Sequence, residues 1–103
     1  MLYIEIMNQD RVSKAFSDRN RIKILKFLSE GPQNVSSVAE KLNVEENLAS
    51  HHLRVLAALG FLRNSKKGRE VFYKINEVKI ISLLKDLKRN EIFKDILIKA
   101  LEE

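Results

Sequence analysis

The chain has 103 residues, no cysteine, one proline and two histidines, with 45% hydrophobic and 32% charged residues. That length suits one domain around one core, and the hydrophobic content separates it from disordered chains. Without cysteine, disulfides, thiolate zinc sites and thiol redox sensing are excluded.

The formal charge is +5, and its placement is more informative than its size. Residues 54–74 hold Arg54, Arg63, Lys66, Lys67, Arg69 and Lys74 against Glu70 alone, so this one segment carries the whole excess. Charge concentrated in this way points to a surface that binds a polyanion; spread evenly, it would be an ordinary solvated face. No apolar run is long enough to span a bilayer, and MLYIEIMNQDR lacks the basic start and apolar core of a signal peptide. A cytoplasmic protein with no membrane partner is expected.

Residues 1–16 set Leu2, Tyr3, Ile6, Met7, Val12 and Phe16 among charges and read as a first helix. Ser17 or Asp18 can cap a second helix, whose apolar residues Ile22, Leu25 and Leu28 step by three beside Ile24 and Phe27. Gly31-Pro32 ends it. Asn34 or Ser36 can then cap a short third helix with Val38, Ala39 and Leu42 facing inward. Asn43-Val44 makes a tight turn into a fourth helix, which Gly60 ends.

From Phe61 the pattern changes period. FLRNS and EVFYKI are short and rich in β-formers, and Lys66-Lys67-Gly68-Arg69 joins them into a two-stranded hairpin with a basic tip. Asn76 can cap a last helix from about Glu77, with an apolar stripe of Ile80, Ile81, Leu84 and Leu87, then Ile92, Phe93, Ile96, Leu97, Ala100 and Leu101. The step from Leu87 to Ile92 is out of phase, so a bend or a break is expected near Arg89-Asn90.

The expected fold is therefore mainly α (α+β), with about five helices and one β-hairpin, in a single domain over 1–103. Residues 34–59 form a helix-turn-helix and residues 61–75 a wing, a winged helix-turn-helix. One helix of such a domain fits the major groove of double-stranded DNA while the hairpin tip reaches the backbone or minor groove beside it. Winged helices also serve as protein-interaction modules, so fold alone leaves function open.

The fourth helix narrows the choice. Ala49, His52, Leu53, Leu56 and Leu59 fall on one stripe, and Asn47, Ser50, His51 and Arg54 on another. Neighbouring residues on a helix point about 100° apart, so His51 and His52 cannot chelate one ion together; that chemistry uses the i, i+4 spacing of HExxH. His52, among leucines, is expected to pack with a hydrogen-bonded ring. His51 sits in a stripe of short polar side chains beside an arginine, which suits base edges and phosphate. A plain solvated face is the bland alternative, and the basic hairpin next door weighs against it.

SHHLRVLAALGFL, followed by the basic loop and VFYKI, resembles the ArsR/SmtB family of winged-helix repressors in Ser50, His52-Leu53, Leu56 and Gly60-Phe61. Upstream, AFSDRNRIKILKFLSEG is similar to the family's Ser-Asp-Pro-x-Arg segment, with Arg19 where proline is usual. The resemblance covers roughly residues 12–76. It implies a homodimer paired through the first and last helices (residues 1–16 and 77–103), binding a palindromic operator to repress transcription. It also implies base contacts from Glu46, Asn47, Ser50 and His51, with Arg54 beside them, and phosphate contacts from Lys66, Lys67 and Arg69 in the wing.

Two departures from the family pattern matter. The fourth helix opens Glu45-Glu46 where Ser-Gln is common; carboxylates suit a helix N-terminus but repel phosphate, although Glu46 could accept from a cytosine amino group. The positions of the metal-sensing cysteines are Asn34 and Ser36, and the last helix has Glu77-Val78-Lys79, Asn90 and Phe93 about its zinc-ligand positions. Lysine and phenylalanine offer zinc no lone pair, so no metal, cofactor or thiol switch is expected and the effector is left open. Two other readings compete with a specific repressor: a winged-helix adaptor that binds protein through its wing and last helix, and a non-specific DNA-binding protein. An enzyme is not expected, because no nucleophile–base pair or glycine-rich phosphate loop is visible.

Overall fold

Three of the helices here begin at a side chain that supplies a missing backbone partner. The computed structural model describes residues 10–87 and 91–102. After α1 (residues 10–16), Asp18 takes extended backbone and its carboxylate accepts from the backbone N–H of Asn20 at 2.7 Å and of Arg21 at 3.3 Å, starting α2 (Arg19–Leu28). Of the two caps open for the third helix, Asn34 is the one used: its Oδ1 accepts from Ser37 N at 2.8 Å to start α3 (Val35–Leu42). Asn43, in the left-handed region at φ 56, ends α3 and turns the chain toward α4 (Glu46–Ala58). Glu45 precedes α4 in extended backbone without a side-chain cap, and Asn76 caps α5 (Glu77–Leu87) by accepting from Lys79 N at 3.4 Å.

The sheet is larger than a hairpin. Strand β1 (Gln33–Asn34) pairs antiparallel with β3 (Glu70–Ile75), and β3 pairs antiparallel with β2 (Leu62–Lys67), giving the order β1-β3-β2. The wing also has a shorter tip than the sequence suggests. Lys66 pairs with Val71 and Lys67 with Glu70, so both lysines lie in β2 and only Gly68-Arg69 makes the turn. Gly68 has φ 63, and a left-handed residue at that point is what a two-residue hairpin turn requires.

Helices α2 to α5 close over one core, with Ile24, Leu28, Val38, Leu53, Leu56 and Leu83 fully buried. Truncating any of these leucines to alanine costs about 2–5 kcal/mol in cores of this kind. Phe16 and Phe61 meet edge to face at 6.3 Å, fastening α1 to the start of β2. Among the described residues there are six helices, the last being α6 (Glu91–Glu102), which packs against α2 and α5. The bend or break expected near Arg89-Asn90 lies outside the described residues.

In α5 the core side is Ile80 and Leu83, while Ile81 and Val78 are exposed. The stripe read through Ile80 and Ile81 is therefore split. The helix is apolar toward the core and, separately, toward solvent.

Candidate nucleic-acid interface

The two faces of α4 separate as their spacing demands. Ala49, His52, Leu53 and Leu56 are buried, Asn47, His51 and Arg54 are exposed, and Ser50 lies half-buried at the margin. Adjacent in sequence, the two imidazoles have different surroundings. His52 is 5% exposed, and its Nδ1 accepts from Arg21 Nη1 at 3.4 Å while its Nε2 lies 3.9 Å from Asp18 Oδ1. Burial pushes the pKa of His52 below the ordinary 6.5; the Asp18 carboxylate opposes this, and the Arg21 guanidinium and His51 add to it. The neutral ring then keeps a lone pair at Nδ1 for the arginine.

Arg21 is a contributor that periodicity does not reveal. Its Nη2 also donates to the Lys14 carbonyl at 3.0 Å and to Ser17 Oγ at 3.1 Å, so one guanidinium links the end of α1, the start of α2 and the underside of α4. The Ser-Asp-x-x-Arg spacing carries the signal: Asp18 caps α2, and Arg21, one turn on, reaches across the capped end to His52. This cluster is structural. It orients the helix whose opposite side is exposed.

The wing stands beside the exposed face. Glu46 at the start of α4, Arg69 at the wing turn, and Val71 line a common cleft with Asn34 and Ser36. Asn34 Nδ2 donates to Glu70 Oε1 at 3.3 Å, tying the wing to the start of α3. Alternation along β2 puts Lys66 on the face of Val71 and buried Tyr73, the α4 side, and Lys67 on the opposite face, its Nζ 5.6 Å from the Phe72 ring centroid. The three wing cations therefore do not share one face of the hairpin. Arg69 lines the cleft with Glu46, Lys66 lies on the face of Val71, and Lys67 lies on the opposite face against Phe72.

Glu46 is exposed in the first turn of α4, where its charge complements the helix dipole. Asn34, at the position of a metal-sensing cysteine, spends both ends of its amide on the α3 cap and Glu70, and Ser36 beside it is exposed. Glu77 and Val78 are exposed, while Asn90 lies outside the described residues. Among the described residues no helix is long and apolar enough to cross a membrane.

One further residue at this end of α4 is not evident from the helical period. Leu48, in the first turn of α4 between Asn47 and the buried Ala49, is 42% exposed. Its signal in the sequence is a leucine that falls outside the stripe of Ala49, His52, Leu53 and Leu56.

A family model described as bacterial regulatory protein, arsR family, matches residues 18–64. The transcriptional repressor SdpR of Bacillus subtilis (strain 168) is 34% identical over 67 residues, covering 65% of this chain and 74% of SdpR. The HTH-type transcriptional regulator NmtR of Mycobacterium tuberculosis is 34% identical over 71 residues; the match covers 69% of this chain but only 59% of NmtR. Among solved structures, an ArsR-like transcriptional regulator from Rhodococcus sp. RHA1 superposes with a TM-score of 0.72 at 29% identity, covering 92% of this chain and 90% of that one. The family match, the relatives' identity and the shared fold together show that the chain belongs to the arsR family of bacterial regulatory proteins, which are winged helix-turn-helix DNA-binding transcriptional regulators.

Proposed function

We propose that this chain is a cytoplasmic, homodimeric repressor that binds a palindromic operator, with α4 in the major groove and the wing on the adjoining backbone. The observation that carries the reading is the cleft between α4 and the wing, which puts Glu46 and Arg69 at the edge of one continuous surface. Along that surface Asn47, Ser50 and His51 supply short donors and acceptors for base edges, and Arg54, Lys66 and Arg69 supply cations for phosphate. Lys67 contributes from the far face of the wing. Glu46 completes the helix start and meets a base only if that base offers an amino donor.

Dimerisation is supported by apolar surface left uncovered in the single chain. Val78, Ile81, Ile96, Ile98 and Leu101 on α5 and α6 are between 46% and 73% exposed. Exposed apolar side chains on two consecutive helices suit a second copy, and a two-fold dimer matches a palindrome. The sequence supplies neither the cysteines nor the imidazoles of the family's metal sites, so the repressor reading carries no metal or thiol switch.

Selection of bound duplexes from a random pool, with and without zinc, tests this reading. A palindromic motif recovered equally under both conditions is the expected result. Recovery of no motif contradicts it, and a motif that depends on zinc contradicts the absence of a metal switch.

A further inference from the structure

Leu48 stands apart from the other large hydrophobic side chains that reach solvent. Among the described residues those others are Val78, Ile81, Ile96, Ile98 and Leu101, all on α5 and α6, where a second copy can cover them. Leu48 lies on the opposite functional element, in the first turn of α4, next to Asn47 and one turn before His51. The first residues of a recognition helix are those that approach base edges most closely.

We propose that Leu48 is a specificity-determining residue that packs on the 5-methyl group of a thymine in each half-site. The proposal rests on the reading of α4 as the groove-reading helix. Its chemistry is one of exclusion. In the major groove, guanine presents two acceptors, cytosine a donor, adenine an acceptor and a donor, and thymine alone an apolar group beside its acceptor. A leucine brought against the first three would strip water from polar edges without replacing their hydrogen bonds. Against thymine, the isobutyl group buries a methyl and leaves O4 free for a neighbouring donor such as Asn47. The polar stripe then reads hydrogen bonds while Leu48 reads the methyl, and the pair discriminates thymine from cytosine at a position where either contact alone is weaker.

Deoxyuridine gives a direct test, because it pairs as thymine does and lacks only the methyl. The selected duplex is remade with each thymine of the half-site replaced in turn by deoxyuridine, and its affinity is measured for the unaltered protein and for Leu48→Ala. One position is expected to show a loss of about three- to fivefold per half-site for the unaltered protein, the scale of one buried methyl group. The same replacement should leave Leu48→Ala unaffected, while that variant still prefers the selected duplex to a scrambled one. Loss of affinity at no thymine overturns the proposal without requiring any variant to fold. A deoxyuridine penalty of equal size in Leu48→Ala also overturns it and leaves the groove-reading role of α4 standing. Equal affinity of the unaltered protein for selected and scrambled duplexes overturns both.

Discussion

Arg21 donates through Nη1 to Nδ1 of His52 at 3.4 Å, joining the start of α2 to the buried side of α4 across 31 residues of chain. The contact is long for a hydrogen bond, yet the same guanidinium is fixed at its other nitrogen by the Lys14 carbonyl and Ser17 Oγ. His52 therefore packs on the buried side of α4, away from its exposed face. Its contact with Arg21 lies on the side of α4 opposite Asn47 and His51.

This arrangement makes stability depend on pH in a definite direction. His52 has a folded-state pKa below its ordinary 6.5, so between the two values the unfolded chain binds the extra proton. Stability is then fully present above about pH 6.5 and falls as pH drops toward the lowered folded value. His52→Gln, which keeps a group able to accept from Arg21, should remove that component of the pH dependence. Urea unfolding at fixed protein concentration from pH 8 to pH 5 provides the comparison; identical slopes for both proteins would contradict the assignment.

The start of α2 offers two opposite stability changes. Asp18→Ala removes the acceptor for two backbone N–H groups and should cost about 0.5–2 kcal/mol. Arg19 is the first residue of α2, and Asp18 before it has φ −123 and ψ 128, backbone that a following proline tolerates. Arg19→Pro should therefore stabilise the protein by about 0.4–1 kcal/mol, chiefly by restricting the unfolded chain. Thermal melts at one concentration read both changes, and a destabilised Arg19→Pro would show that its backbone N–H or side chain is needed.

Within the wing, geometry predicts unequal cations. Arg69→Ala and Lys66→Ala should weaken binding to selected and scrambled duplexes alike, and should each flatten the dependence of log affinity on log salt by about 0.9. Lys67→Ala, on the opposite face against Phe72, should have a smaller effect. Equal losses at Lys66 and Lys67 would mean that phosphate engages the wing tip from both faces.

On α4 the expected pattern is different. Asn47→Ala and His51→Ala should relax preference at individual base pairs by about 1–3 kcal/mol, with little change in the salt slope. Repeating the random-pool selection with each variant identifies the position that loses its preference. A uniform loss across all sequences would instead assign these side chains to the backbone.

Much of this architecture is legible in the residues. Asp18, Asn34 and Asn76 act as caps because each has the short side-chain acceptor that a helix start needs, and Asn43 turns the chain because asparagine tolerates left-handed backbone. The division of α4 follows from the period of a helix alone. Other features depend on partners remote in sequence. Gln33-Asn34 has no alternation, being two residues long, and becomes a strand only because β3 offers it an unpaired edge. Lys66 and Lys67 read as turn residues by composition, yet pairing with Val71 and Glu70 draws them into β2. Arg21 belongs to a polar-looking helix start, and its contact with His52 exists only once α2 crosses α4. The expected α5 stripe takes in Ile81 and passes over Leu83, yet Leu83 faces the core and Ile81 does not, because packing against the rest of the fold sets the rotation of the helix.

The central claim is that the exposed face of α4 reads sequence rather than merely holding nucleic acid. Its most direct test is the ratio of affinities for the selected palindromic duplex and a scrambled duplex of equal length and composition, measured at one physiological salt concentration. The account predicts a preference of about a thousandfold or more. Equal affinities, each falling with salt at the same slope, would contradict it.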